Sequence, residues 1–175
     1  WNDLTKSNPF LKLEFFQSLE ESNSIGEGTG WHPFPAIVTH EGKLVGASPL
    51  FLKEHSYGEY VFDWSWAEAY QKYGGSYYPK IVSCIPFTPA SGPRIFGLDA
   101  AIKKNIVSQI EALAYQNKMS SSHILFCDQR EQNAYLDAKW MLREGVQFKW
   151  INKNYKNFEE FLFQLSHDKR KKIKQ

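Results

Sequence analysis

Cysteine is scarce in this chain. Its 175 residues hold only Cys84 and Cys127, too few for a disulfide framework or a zinc cage. Both lie in apolar runs, IVSCIPF and ILFCDQ, as expected of reduced core thiols in a cytoplasmic protein. No run approaches the roughly 18 apolar residues of a spanning helix, and no charged-then-apolar leader opens the chain, so no stable membrane insertion is expected. Internal repeats and low-complexity tracts are absent. There is no H-x-x-H spacing and no Ser-His-Asp order, so neither a metal site nor a hydrolase is read, and no metal is expected. Charge of one sign is also wanting: 21 Lys and Arg face 19 Asp and Glu, for a net +2. Residues 167–175 (HDKRKKIKQ) alone carry +4, which leaves −2 for the rest. The body is therefore no basic nucleic-acid binder, and the positive charge is a terminal cluster.

Aromatic rings are abundant instead. Thirteen Phe, nine Tyr and six Trp make up 16% of the chain, enough to wall a pocket or an interface besides filling one core. The length fits about one domain.

Asn8-Pro9 opens a helix with a capping side chain and Pro at its first position, and apolar residues carry it to about Ser22. Ser24 to Gly30 is a loop. Its G-x-G-x-G string follows a helix rather than a strand, so it lacks the context of a nucleotide-binding turn. Phe34 to His40 and Lys43 to Leu52 flank Glu41-Gly42 as a hairpin. Lys53 to Ser65 alternates rings with His55, Glu59 and Asp63 and reads as strand-like. Trp66 to Tyr73 reads as a short helix stopped by Gly74-Gly75. Tyr77 to Phe87 is a buried strand, and Thr88 to Pro93 is a turn. Asp99 caps the best helix, 99–117, with Ile102, Ile106, Ile110 and Leu113 on one face. Ser122 to Cys127 is a strand, Gln132 to Leu142 a helix, Gln147 to Asn152 a strand. Asn157 opens a last helix, with Glu160 as its capping-box partner. This order is mixed α/β or α+β, not doubly wound.

Acyl transfer to an amine needs a base, oxyanion donors and sometimes an acid. Carboxylates walled by rings have raised pKa values and suit the first task. Glu59 and Asp63 lie among Tyr57, Tyr60, Phe62, Trp64 and Trp66, and in an extended strand they would share a face. The alternative is that both are surface carboxylates or pair with Lys or Arg. His55 is a proton relay or a structural histidine. Tyr77 and Tyr78 can donate a hydroxyl to a leaving group, or are core rings. The fork of Arg94 suits a carboxylate or phosphate of the substrate, or only pins a carboxylate of its own chain.

The residues also carry a family resemblance. Asn8-Pro9-Phe10-Leu11, Gly28-Thr29-Gly30-Trp31, His55 to Ala67 (HSYGEYVFDWSWA), Tyr77 to Lys80 and Pro86 to Arg94 resemble the predicted N-acyltransferases of the peptidoglycan biosynthesis/recognition group. That group is related to the Fem-type (FemAB/FemX) aminoacyl transferases. The resemblance covers most of residues 8–175. It implies a three-layer, GNAT-like acyltransferase fold over residues 1–166, a mixed α/β sheet protein, with 167–175 beginning a basic helix. The family is built of two such halves. The chain starts at Trp1 and ends in a charged run without a stop signal, so it is expected to be the first half of a bacterial protein, with the second half following.

The residue chemistry and the resemblance together lead to an expected pocket built from 55–66, 77–80 and 86–94. Glu59, Asp63, His55 and Tyr78 would be its catalytic groups. Tyr57, Trp64, Trp66, Tyr77, Lys80, Thr88, Ser91, Gly92 and Arg94 would meet the substrate, with Arg170 and Lys171 supplied by the basic helix. The donor would be acyl-CoA or aminoacyl-tRNA. Coenzyme A enzymes of this fold use a glycine-rich turn where this chain has Pro89-Ala90-Ser91-Gly92-Pro93-Arg94, and Pro93 removes a donor there. Fem-type relatives lack that turn and use aminoacyl-tRNA. The expected activity is transfer of an acyl or aminoacyl group to an amine, on a small-molecule or peptide acceptor. The other readings are a non-catalytic module that recognises a peptidoglycan or peptide ligand, and a nucleic-acid contact through the basic tail alone. Lys169, Arg170, Lys171, Lys172 and Lys174 could meet tRNA, a pyrophosphate or an anionic membrane face, or form a solvated helix face.

Overall fold

The computed structural model describes residues 1–5 and 8–175, which form two compact units, 1–142 and 143–175. In the first unit the chain runs through a short helix α1 (Asn2–Thr5) and a 3-10 turn at Pro9–Leu11. Helix α2 (Leu13–Glu21) follows. Asn8 caps the 3-10 turn as its sequence predicts, accepting from the Phe10 amide at 3.1 Å. The expected single helix over 8–22 is thus broken at Lys12, whose backbone is extended.

Two sheets follow. One has the order β1 (Trp31–Pro33), β4 (Leu50–Lys53), β5 (Lys80–Ser83), β7 (Ser122–Ile124). Its first two pairings are antiparallel and β5–β7 is parallel. The other is antiparallel, β2 (Ala36–His40), β3 (Lys43–Ser48), β6 (Phe96–Gly97). The expected hairpin about Glu41-Gly42 is present, with both turn residues at positive φ. Its outer part is split between the two sheets. Pro35 and Pro49 fall at the junction between Ala36↔Ser48 and Pro33↔Phe51, and neither has an N–H to give the ladder.

Side-chain alternation assigns the faces of the first sheet. Leu50 and Ile81 join Ile106, Val107 and Ile110 of α4 (Ala100–Gln116) in the main core. Asp99 caps α4 through the Ile102 amide at 2.8 Å. Phe51 and Val82 pack on the opposite face with Trp31, Ile25 and Leu125, covered by Phe16 and Leu19 of α2. The same alternation puts Lys53 and Lys80 on that second face, directly opposite each other across β4 and β5. Neither has any exposed surface. Segment 54–63 closes over them, and helix α3 (Trp64–Lys72) leaves from its end. After β7 come a 3-10 turn at Gln129–Glu131 and the short helix α5 (Gln132–Asp137).

Several expectations are corrected here. Residues 54–63 form no strand: Gly58 (φ 80°) and Tyr60 (φ 57°) turn the chain. Helix α3 starts two residues before the expected Trp66. The strand expected over 77–87 is confined to Lys80–Ser83, and the helix over 132–142 ends at Asp137. In the second unit residues 147–152 alternate like a strand but form none. That unit holds α6 (Phe158–Phe163) and α7 (His167–Lys174). Asn157 caps α6 through the Glu160 amide at 2.9 Å, and Glu160 reaches back to the Lys156 amide at 2.7 Å. Among the described residues no helix is long and apolar enough to cross a membrane. The architecture is mixed α/β with mixed sheets, compatible with the GNAT-like expectation.

Candidate functional site

Lys80 organises a buried polar cluster. Its Nζ donates to Ser56 Oγ at 2.9 Å, Glu59 Oε2 at 2.8 Å and Asp63 Oδ2 at 2.6 Å, so all three ammonium protons are placed. Tyr77 donates its hydroxyl to the same Asp63 oxygen at 2.6 Å. Tyr78 and Ser56 exchange a hydrogen bond at 2.8 Å. His123 Nε2 lies 3.2 Å from the Tyr77 hydroxyl and 2.8 Å from Ser121 Oγ. Because the one Tyr77 proton goes to Asp63, the imidazole must be the donor toward Tyr77.

Glu59 and Asp63 thus meet on one cation, although the shared strand face that was expected to unite them does not exist. Of the readings open at the sequence level, pairing with a lysine is the one found. The two carboxyls are not equivalent. Burial pushes Glu59 up, against the opposing pull of Lys80. Burial also works against charge on Asp63, but hydrogen bonds from Lys80, Ser56 and Tyr77 outweigh it and hold Asp63 below its usual range. Glu59 Oε1 and Asp63 Oδ1 are buried without a hydrogen-bond partner among the described residues. Burial, then the bond to Asp63, raises the Tyr77 hydroxyl, which stays protonated.

Next to this cluster stands the second buried lysine. Lys53 Nζ sits 3.5 Å over the Trp31 ring and contacts Gly30 O at 3.3 Å, His55 Nδ1 at 3.4 Å and Tyr57 O at 3.5 Å. Burial pushes its ammonium down to about 7, with Glu59 pulling the other way. His55 Nε2 is fixed on the Thr29 carbonyl at 2.9 Å.

The rings face outward. Tyr57, Phe62, Trp64 and Trp66 are all exposed, from 46% for Trp66 to 69% for Tyr57 and Phe62. Phe62, Trp64, Tyr57 and His55 form a continuous strip, with centroid separations of 5.4, 6.4 and 5.2 Å. A buried charged cluster therefore lies behind an open aromatic surface on the same segment.

The Ser91–Arg94 corner is filled by its own chain. Arg94 is fully buried; its Nε donates to Leu125 O at 3.0 Å, Nη1 to Gly92 O and Pro93 O at 3.2 and 3.1 Å, and Nη2 to Ala90 O at 2.6 Å. The Gly92 amide donates to Phe126 O at 3.0 Å. Glu131 takes the Arg94 and Ile95 amides at 2.7 and 3.1 Å. The Arg94 fork does hold its own chain, but through four backbone carbonyls rather than the carboxylate that was expected. Thr88 lies nearby, its amide bonded to Ile85 O at 3.2 Å, and Ser91 is exposed. In the second unit Arg170 stacks over the Phe163 ring at 5.9 Å, and Lys171 is exposed on α7. Ser56, Lys53, Ser121, His123 and Glu131 were not singled out in the sequence. A lysine inside a strand pattern, KIVS or LFLK, was the only available signal.

Over residues 1–175 the chain matches the model of a FemAB-like family described as peptidoglycan biosynthesis/recognition. The chain belongs to this FemAB-like family. No curated protein and no solved structure matches it. The FemAB-like assignment covers both units, so the Lys80 cluster, the ring strip and α7 all lie within the family's matched span.

Proposed function

We propose that this FemAB-like chain takes part in transfer of an acyl or aminoacyl group to an amine of a peptidoglycan-related acceptor in the cytoplasm. The observation that carries the proposal is Glu59: a buried carboxyl pushed upward, half held by Lys80 and half unpartnered, on the segment that carries the exposed rings. Such a carboxyl suits a general base, its basicity raised above that of a free carboxylate. Asp63, held ionised by its donors, would orient Tyr77 and Lys80. The rings Tyr57 and Trp64 would receive the acceptor. The filled Ser91–Arg94 corner offers a coenzyme A pyrophosphate few donors, which favours aminoacyl-tRNA, or a donor bound outside residues 1–142.

A second reading has its own support. All three Lys80 donors are occupied and both carboxylates are buried. A cluster closed in this way fits a module that only holds a peptidoglycan or peptide ligand on its rings.

A thermal-shift screen of the full-length protein against acyl-CoAs, aminoacyl-tRNA and cell-wall precursors would find the ligands, since a native-state ligand raises Tm. Glu59→Gln then separates the readings. Under the enzyme reading it binds the acceptor but transfers at most about one-hundredth as fast, the usual weight of a general base. An undiminished transfer rate in Glu59→Gln removes Glu59 from the chemistry.

A further inference from the structure

We propose that Lys53 and His55 form a couple that holds a single proton between them and so latches the ring-bearing segment in place. Donor counting makes the case. Thr29 O can only accept, so His55 Nε2 at 2.9 Å carries a hydrogen. Gly30 O and Tyr57 O can only accept, so each takes one N–H of Lys53. The remaining contact joins Lys53 Nζ to His55 Nδ1 at 3.4 Å. One proton there satisfies both nitrogens, whether it sits on an ammonium facing an imidazole or on an imidazolium facing an amine. Two protons set N–H against N–H, and none sets lone pair against lone pair.

The surroundings fit one charge rather than two. Trp31 presents its ring face at 3.5 Å from Lys53. Glu59 and Glu54 favour a cation there, while Lys80 opposes one from the facing strand; Cys84, protonated, adds no charge. The Tyr57 ring packs on His55 at 5.2 Å. Gly30 leaves the imidazole no slack: a Cβ there would collide with Nε2. Tyr57 O also accepts from Trp31 Nε1 at 3.2 Å, so this carbonyl is the tether of segment 57–63. Loss of the shared proton leaves the amine two N–H groups for Gly30 O and Tyr57 O but sets its lone pair against that of His55 Nδ1. If the imidazole moves its hydrogen to Nδ1 instead, Nε2 loses its bond to Thr29 O, so either way the packing that holds Lys53 on the tether is strained. The downward push on Lys53 from burial places that loss within reach of ordinary pH.

The test is an NMR titration of the full-length chain, labelled with 15N throughout and with 13C in lysine and histidine, from about pH 5 to 10. Exchange of the Trp31 indole N–H, which donates to Tyr57 O, and of the Phe87 amide, which donates to Gly58 O, is followed in parallel. The couple is expected to hold one proton at pH 6, with Lys53 and His55 signals moving together in one step. Trp31 and Phe87 protection should fall above that step. His55→Phe should shift the Lys53 midpoint at least about tenfold in proton concentration, with His55→Leu as the second variant if Phe does not fold. Two full charges at pH 6 in the wild type overturn the shared proton. A Lys53 midpoint untouched by His55 removal does the same. Trp31 and Phe87 exchange indifferent to the step overturns the latch. None of these outcomes depends on whether the protein transfers acyl groups.

Discussion

Lys80 carries no exposed surface and places three donors on three partners. Removing it would leave two buried carboxylates without their cation. Lys80→Met should therefore cost about 3–5 kcal/mol of unfolding free energy in urea melts, the usual penalty for breaking a buried pair. A loss below about 1 kcal/mol would mean that the carboxyls relax to solvent. Cys84 offers a second check. Burial pushes its thiol up to about 12, so in the native protein Cys84, unlike the part-buried Cys127, should resist alkylation at pH 8 and react only on unfolding, as peptide mapping would show. At this scale the sequence was half legible. Rings around Glu59 and Asp63 pointed to raised carboxyls; Glu59 is raised, but Asp63 is lowered by the hydrogen bonds that Lys80, Ser56 and Tyr77 give it, and the rings themselves face outward. Their cation was named only as a lining residue, because a lysine gives no sign of burial until its strand neighbours are known.

Elements with strong periodicity were legible: α4 lies where its pattern puts it, the hairpin turn at Glu41-Gly42 is present though its outer part is split between the sheets, and β7 starts at the expected Ser122 but ends at Ile124 rather than Cys127. Segment 54–63 was not. Its rings alternate as they would in a strand, but Gly58 and Tyr60 adopt positive φ, and the backbone follows the buried lysines rather than a ladder. QFKWIN at 147–152 has the same alternation without a strand, so alternation alone misleads where rings serve a surface. The loop before β1 provides a paired experiment. Gly28 and Gly30 have similar positive φ, 76° and 70°, but a Cβ at Gly28 meets nothing while one at Gly30 strikes His55. Gly28→Ala should cost about 1 kcal/mol for its backbone alone. Gly30→Ala should cost at least about 1 kcal/mol more, because the collision displaces His55 from Thr29. Equal losses in thermal melts would show that His55 yields freely.

For the whole molecule, residues 143–175 carry nine basic and four acidic side chains, a net +5, which leaves −3 for residues 1–142. The small total hides opposite units. The first unit also has its own pH signature. Lys53 binds its proton less tightly folded, at about 7, than in an unfolded chain near 10.5. Between those values the unfolded state holds more protons, so stability should rise as pH climbs from about 7 toward 10. Glu59, raised by burial, acts oppositely: stability is lost as pH rises through its folded value. Urea midpoints at pH 7 and pH 9 test the first trend, and Lys53→Met should flatten it. The central claim is that a working carboxyl lies behind an acceptor-binding ring surface. Its most direct test measures binding and transfer together, using the full-length protein and a soluble peptidoglycan-precursor peptide with a free amine. Trp64→Ala should lose binding, and Glu59→Gln should bind normally but fail to transfer. Wild-type binding and transfer in both variants would contradict the account.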